Sequence, residues 1–100
     1  MVIIRREVGD VLRERRRHQG RTLRQVSSDA AVSLGYLSEV ERGEKEASSE
    51  MLATICRALE LPVSQMLNDV AVRVAIAEAE EAVNVPDSPA NMPPGGPPEQ

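Results

Sequence analysis

Few side chains in this 100-residue sequence could serve as catalytic nucleophiles, general bases or metal ligands. Histidine and cysteine occur once each, as His18 and Cys56, so neither a nucleophile–base pair nor a zinc-type ligand set can be assembled from them. The apolar neighbours of Cys56 predict a buried thiol with a raised pKa rather than a redox sensor. We therefore expect a protein without enzyme activity, metal, other cofactor or small-molecule ligand.

Arginines offer the clearest chemistry in the sequence. Residues 1–45 hold 10 Lys and Arg against 7 Asp and Glu, a net charge of +3, whereas residues 46–100 hold 2 against 9, a net charge of −7. A basic face can contact phosphates while an acidic remainder points away from them. Because Tyr36 is the only aromatic residue, base stacking on single strands is disfavoured. The expected nucleic-acid partner is therefore a duplex.

Apolar residues recur at helical offsets and without strand-like alternation, which predicts an all-α fold of five helices. After an N-terminal arm of residues 1–7, the first helix is predicted from Val8 to Gln19, with Gly20 ending it. Its inner stripe is predicted to be Val8, Val11, Leu12 and Arg15, and its outer face to carry Arg13, Arg16 and Arg17. The capping-box spacing of Thr22 and Gln25 predicts a short second helix to about Ala30.

Serine caps predict the next two helices. Ser33 would begin a third helix that reaches about Arg42 and is closed by Gly43. Ser48 would begin a fourth helix that ends before Pro62. The inner face of this fourth helix is predicted to be Met51, Leu52, Ile55, Cys56 and Leu59. Residues 8–61 are predicted to form one domain.

A fifth, extended helix is predicted from Pro62 to about Asn84, too long for so small a core to cover. One apolar stripe consists of Val63, Met66, Leu67, Val70 and Val74, and a second consists of Val72, Ile76, Ala79 and Val83. One stripe would close the core and the other would be exposed, so this segment is the predicted homodimer interface, through Val70, Val72, Val74, Ile76, Ala79 and Val83. The alternative is a helix that frays beyond Val74, with the dimer formed through residues 46–60.

The two ends of the sequence carry no signal for a membrane. The apolar triplet at residues 2–4 is too short for a signal-peptide core, and no apolar run approaches the roughly 20 residues of a membrane span. We expect a cytoplasmic, nucleoid-associated protein with no membrane partner. Residues 85–100 hold six of the seven prolines and are predicted to be a disordered tail.

Two short helices joined by a tight turn and preceded by an Arg-rich helix have the layout of a helix-turn-helix. Ser27 is small enough for the third helix to cross the second closely, and Leu37 and Val40 would fasten the third helix from below. The outward residues, which would face a major groove, are Ser33, Leu34, Gly35, Tyr36, Ser38 and Glu39. Phosphate contacts are expected from Arg42 and Lys45, which follow the third helix. Each also has a structural alternative, as a helix cap, a packing residue or a solvated charge.

Several runs of residues resemble the lambda-repressor-like (Cro/CI-type, XRE) helix-turn-helix family, over about residues 8–70. They are TLRQV at 22–26, YLSEVERG at 36–43 and LAxICxAL at 52–59. More narrowly, VSLGYLSEVERGEKEASSE is similar to the actinobacterial Clp-gene regulator (ClgR) group. This resemblance implies a homodimeric transcriptional activator of Clp protease and chaperone genes, with RNA polymerase as a second partner near Asp29.

Two residues depart from the family pattern. Ala31 stands in the turn where the family usually has glycine, at the steric cost of a positive φ. Leu23 stands where the family often has a phosphate-binding Gln, so this contact would come from Arg24. An antitoxin that neutralises a partner toxin uses the same fold and is the alternative function, and an enzyme is a third choice.

Overall fold

The computed structural model describes residues 1–83, which form five α-helices. They are α1 (Ile4–His18), α2 (Leu23–Ala30), α3 (Leu34–Glu41), α4 (Ser49–Ala58) and α5 (Val63–Val83). No strand occurs among residues 1–83, so the all-α prediction is confirmed. The predicted tail at 85–100 lies outside the described residues.

The first helix begins at Ile4, so residues 4–7 are helical and the prediction of an N-terminal arm up to residue 7 is wrong for them. The backbone N–H groups of Arg6 and Glu7 donate to the carbonyl oxygen of Ile3, at 3.0 and 3.3 Å. Glu7 also places a negative charge in the first turn, which the helix dipole favours. No side chain caps this end, so no capping signal marks it in the sequence.

Side-chain caps fix the starts of the next three helices, as predicted. The Thr22 hydroxyl accepts the backbone N–H of Gln25 at 3.0 Å, and the Gln25 amide oxygen accepts the backbone N–H of Thr22 at 2.8 Å. The hydroxyls of Ser33 and Ser48 each accept a backbone N–H three residues later, at 3.0 and 3.2 Å. A cap of this kind stabilises a helix by about 1 kcal/mol.

The core between the helices is aliphatic. Its largest fully buried side chains are Leu12, Leu37, Ile55, Leu59 and Met66, together with Val26, Val40 and Cys56. Cys56 is buried and packs as a small hydrophobic side chain, as predicted. Its burial raises the pKa of the thiol.

The fifth helix presents its apolar residues differently from the prediction. Val70 is buried and Val74 packs against the core, so both belong to the monomer and their assignment to the dimer interface is corrected. Val63 and Leu67, predicted on the inner stripe, are 41% and 55% exposed. The direction in which α5 leaves Pro62 decides these exposures, and helical spacing alone does not contain that direction.

The first helix lies between α3 and α5 and packs against both. It approaches α3 closely at Gly9, where an added Cβ would lie 2.5 Å from the carbonyl oxygens of both Val40 and Glu41. This distance is far shorter than a carbon–oxygen contact, so only a residue without a side chain permits the observed crossing. Gly9 therefore sets how deeply α3 sits against α1.

Replacing Gly9 with alanine is expected to lower the free energy of unfolding by about 1–3 kcal/mol, because the added methyl group must push α3 away from α1. Gly35→Ala is the matched control, since nothing lies within 4 Å of its Cβ position and alanine favours helix by about 1 kcal/mol. Urea unfolding followed by far-UV circular dichroism measures both. An unchanged stability of Gly9→Ala would contradict the close crossing.

Candidate nucleic-acid interface

The turn between α2 and α3 fixes the angle between these helices. Ala31 adopts a left-handed conformation, with φ 57° and ψ 40°, as its place in the turn predicts, and a Cβ costs about 1–2 kcal/mol there. The backbone N–H of Val32 donates to the Ser27 carbonyl at 3.0 Å. Ser27 is only 5% exposed, and its hydroxyl donates to the Arg24 carbonyl at 3.0 Å. Ser27 is thus a small, buried residue beside the turn, as the predicted close crossing of α2 and α3 requires.

The third helix is held from one side and open on the other. Leu37 and Val40 are buried and attach α3 to the core, as predicted. All six predicted base-reading residues keep exposure to solvent: Ser33 and Gly35 are exposed, and Leu34, Tyr36, Ser38 and Glu39 are partly so. The structure therefore brings these six residues together on and around the outward side of α3.

Cations at the C-terminal end of α3 are paired with carboxylates. The Arg42 guanidinium donates to both carboxylate oxygens of Glu44 at 3.0 Å, and these hydrogen bonds hold the pKa of Glu44 below its ordinary value. The Lys45 ammonium lies 3.5 Å from a Glu39 carboxylate oxygen and 5.9 Å from the centre of the Tyr36 ring. Arg42 and Lys45 are both exposed, so other anions can reach them.

The second helix contributes a further cation. Arg24 is exposed in the first turn of α2. The neighbouring Arg21 donates to the carbonyl oxygen of Ala58 at 2.6 Å and forms an ion pair with Asp29, whose side chain is 59% exposed. Arg21 thus ties the start of α2 to the end of α4, a role that the sequence did not suggest.

A buried ion pair between α1 and α3 was also missed. Glu41, the last residue of α3, is 5% exposed. The Arg16 guanidinium donates to both of its carboxylate oxygens, at 2.8 and 2.9 Å, and this hydrogen bonding raises the pKa of Arg16. The prediction that Arg16 lies on the outer face of α1 is therefore wrong. A signal was present, because Glu41 lies four residues after Leu37 on the inner side of α3, where a carboxylate needs a cation.

Two more arginines, which the predicted set did not include, flank the end of α3. The Arg5 guanidinium donates to the Gly43 carbonyl at 2.9 Å, and Arg6 lies directly against Gly43. Both arginines are exposed. They were missed because the helical start of α1, which carries them to this place, was not predicted.

The chemistry that this surface offers is charge and hydrogen bonding. Over residues 1–83, no three His, Cys, Asp or Glu side chains come together as metal ligands would. Within the same part of the chain, no helix combines the length and the apolar character needed to cross a bilayer. An exposed helix face that bears hydroxyl groups and is followed by the exposed cations Arg42 and Lys45 instead matches the major groove and its flanking phosphates.

Comparisons with known proteins identify relatives of this chain. Residues 7–67 match the model of a helix-turn-helix domain family. The chain is 60% identical over 76 residues to the transcriptional regulator ClgR of Mycobacterium tuberculosis, covering 76% of this chain and 68% of that protein. It matches the crystal structure of the clp gene regulator ClgR from Corynebacterium glutamicum with a TM-score of 0.77 and 43% identity, over 82% of this chain and 87% of the other.

A more distant match shows how general the fold is. The wild-type restriction-modification controller protein C.Esp1396I matches with a TM-score of 0.69 at 18% identity, over 74% of this chain and 95% of that one. The ClgR proteins are transcriptional regulators, which favours the leading hypothesis over the antitoxin and enzyme alternatives. This chain therefore belongs to the lambda-repressor-like helix-turn-helix family of DNA-binding transcriptional regulators and, within it, to the ClgR group.

Proposed function

We propose that this protein is a homodimeric activator of Clp protease and chaperone genes. The 60% identity to a ClgR protein over 76 residues carries this proposal. The protein would bind a near-palindromic operator in the cytoplasm, at the nucleoid. Asp29 is exposed near the end of α2, and we assign it the contact with RNA polymerase.

The proposed DNA contacts divide into two sets. Base edges are read from the outward surface of α3 by Ser33, Leu34, Gly35, Tyr36, Ser38 and Glu39. Phosphates are bound by Arg24, Arg42 and Lys45. The pairing of Arg42 with Glu44 does not oppose this, because solvent screens an exposed ion pair and a phosphate can replace the carboxylate.

The proposed dimer interface is the second stripe of α5, which stays outside the core. Val72, Ile76 and Val83 are 52%, 55% and 81% exposed, and Ala79 is exposed beside them. Their spacing of four, three and four residues is the repeat of a helix–helix seam. Burying one such aliphatic side chain fully contributes about 1.5–3 kcal/mol. To reach two successive major grooves, the two copies of α3 in this dimer must lie about 34 Å apart, one turn of duplex.

Duplexes from upstream of the Clp protease genes of the source organism are expected to bind far more tightly than random duplex. Because arginine and lysine displace counterions from phosphates, log K should fall linearly with log salt. Fluorescence anisotropy with labelled duplexes measures the binding, and transcription in vitro with RNA polymerase should rise. Equal binding to random duplex would refute the operator, and reduced transcription would refute activation.

Substitutions should separate the two sets of contacts. Arg42→Gln is expected to weaken binding to operator and random duplex by the same factor and to reduce the salt slope by about 1.8, because the dimer loses two phosphate contacts. Leu34→Ala should instead change base preference, by about 1–3 kcal/mol at an affected base pair. Arg57→Gln removes the same charge from an exposed site on α4 and serves as the control. If Arg57→Gln weakened binding as much as Arg42→Gln, the assignment of Arg42 would be wrong.

Ile76→Lys is expected to convert the dimer into a folded monomer, because a charge in the centre of the seam cannot be buried without a partner. Leu67→Lys is the matched control, since Leu67 is 55% exposed like Ile76 but lies on another side of α5. Sedimentation equilibrium measures the mass of both variants. A monomeric Leu67→Lys beside a dimeric Ile76→Lys would move the interface to the side of Val63 and Leu67.

A further inference from the structure

One arginine of α5 forms three ion pairs with α1. Arg73 of α5 donates from each of its three guanidinium nitrogens to a different carboxylate of α1: Nε to Glu7 at 3.0 Å, Nη2 to Asp10 at 2.9 Å and Nη1 to Glu14 at 3.1 Å. The Arg73 side chain is 33% exposed and that of Glu7 only 18%. The function assigned above, DNA binding through α3, does not use this cluster.

The three ion pairs of Arg73 are suited to fixing the angle between α1 and α5, and not only to stabilising the fold. The three carboxylates are spaced along about 10 Å of α1, and the guanidinium is a rigid planar fork that meets all three at once. A single ion pair would let α5 rotate about one contact, whereas three contacts to one plane restrict both sliding and tilting. Arg73 thus determines the direction of α5 relative to α1.

The position of Arg73 along α5 determines which part of this helix the ion pairs restrain. Before it, Met66 and Val70 are buried in the core. Beyond Val74 no residue of α5 up to Val83 is buried. Arg73 therefore stands at the boundary between the part of α5 that the core holds and the part that carries most of the proposed dimer seam.

The same restraint also affects the position of α3, the proposed recognition helix. The seam lies on α5, Arg73 attaches α5 to α1, and α1 holds α3 through the close crossing at Gly9 and the pair of Arg16 with Glu41. A tilt of α5 by about 13° about Arg73 displaces Val83, ten residues and about 15 Å further along α5, by about 3.4 Å relative to α1 and to the α3 that α1 holds. That displacement is close to the rise of one base pair, since ten base pairs span about 34 Å.

We propose that Arg73 is a positioning residue that sets the distance between the two recognition helices of the dimer, and with it the half-site spacing that the operator must have. This inference rests on the proposed dimerisation through α5. Arg73 itself touches neither the DNA nor the seam in this proposal. It acts by holding α5 at one angle on α1.

The test compares operators whose centre is lengthened or shortened by one base pair. The wild-type dimer is expected to lose about tenfold in affinity for either, which corresponds to about 1.4 kcal/mol. Arg73→Met keeps the length of the side chain without its charge and should bind both altered operators within about threefold of the original, because α5 can then tilt. Arg73→Lys, with a single ammonium in place of the fork, should give an intermediate preference.

Sedimentation and far-UV circular dichroism of each variant separate the possible failures. A wild-type protein that is monomeric or ignores the operator refutes the proposed function. A dimeric, folded Arg73→Met that keeps the full spacing preference, or loses affinity equally for all spacings, overturns the positioning role. If Arg73→Met does not fold, Glu14→Gln removes only the most exposed of the three contacts, and an unaltered spacing preference in that folded variant likewise overturns it. Arg57→Met is the control for loss of an exposed arginine.

Discussion

Two carbonyl oxygens of α3 approach Gly9 of α1 so closely that no side chain fits between them, and two turns further along α1 the Arg16 guanidinium holds Glu41 through two hydrogen bonds. The glycine sets the distance between the helices, and the ion pair restricts the rotation of α3 about its own axis. Burying a charged pair is costly in itself, so such a pair is weak evidence for added stability. Here it fixes which side of α3 faces outward, and every base-reading role assigned to α3 depends on that orientation.

The arginines of α1 show why net charge indicates a class of partner but not the residues that meet it. The basic run at 13–17 suggests a phosphate-binding face, yet three of its members have structural partners. Arg13 pairs with Asp10, Arg15 donates to backbone carbonyls after α4, and Arg16 is paired with α3. The three acidic side chains of α1, Glu7, Asp10 and Glu14, bind Arg73 of α5. The first helix is therefore a connecting element, whose charged side chains bind α3, α5 and the segment that follows α4.

Features governed by neighbouring residues were predictable from the sequence, and features governed by distant ones were not. The starts of α2, α3 and α4 follow from caps that act within three residues. The outward side of α3 follows from Leu37 and Val40, because two inner residues define the opposite face of a short helix. The partner of Arg16 lies 25 residues away, and the exposure of Leu67 depends on the direction of α5 after Pro62. Helical periodicity predicts neither the partner of Arg16 nor the exposure of Leu67.

Tyr36 gives the protein an intrinsic optical signal that originates at α3. Because the sequence contains neither tryptophan nor phenylalanine, its intrinsic fluorescence and aromatic circular dichroism originate from this one ring. The ring is partly exposed on α3, beside the Lys45 ammonium. Intrinsic fluorescence therefore responds little to the packing of the core and strongly to binding at α3. Folding must be followed through the peptide bonds, whereas binding at α3 has a native optical signal that requires no label.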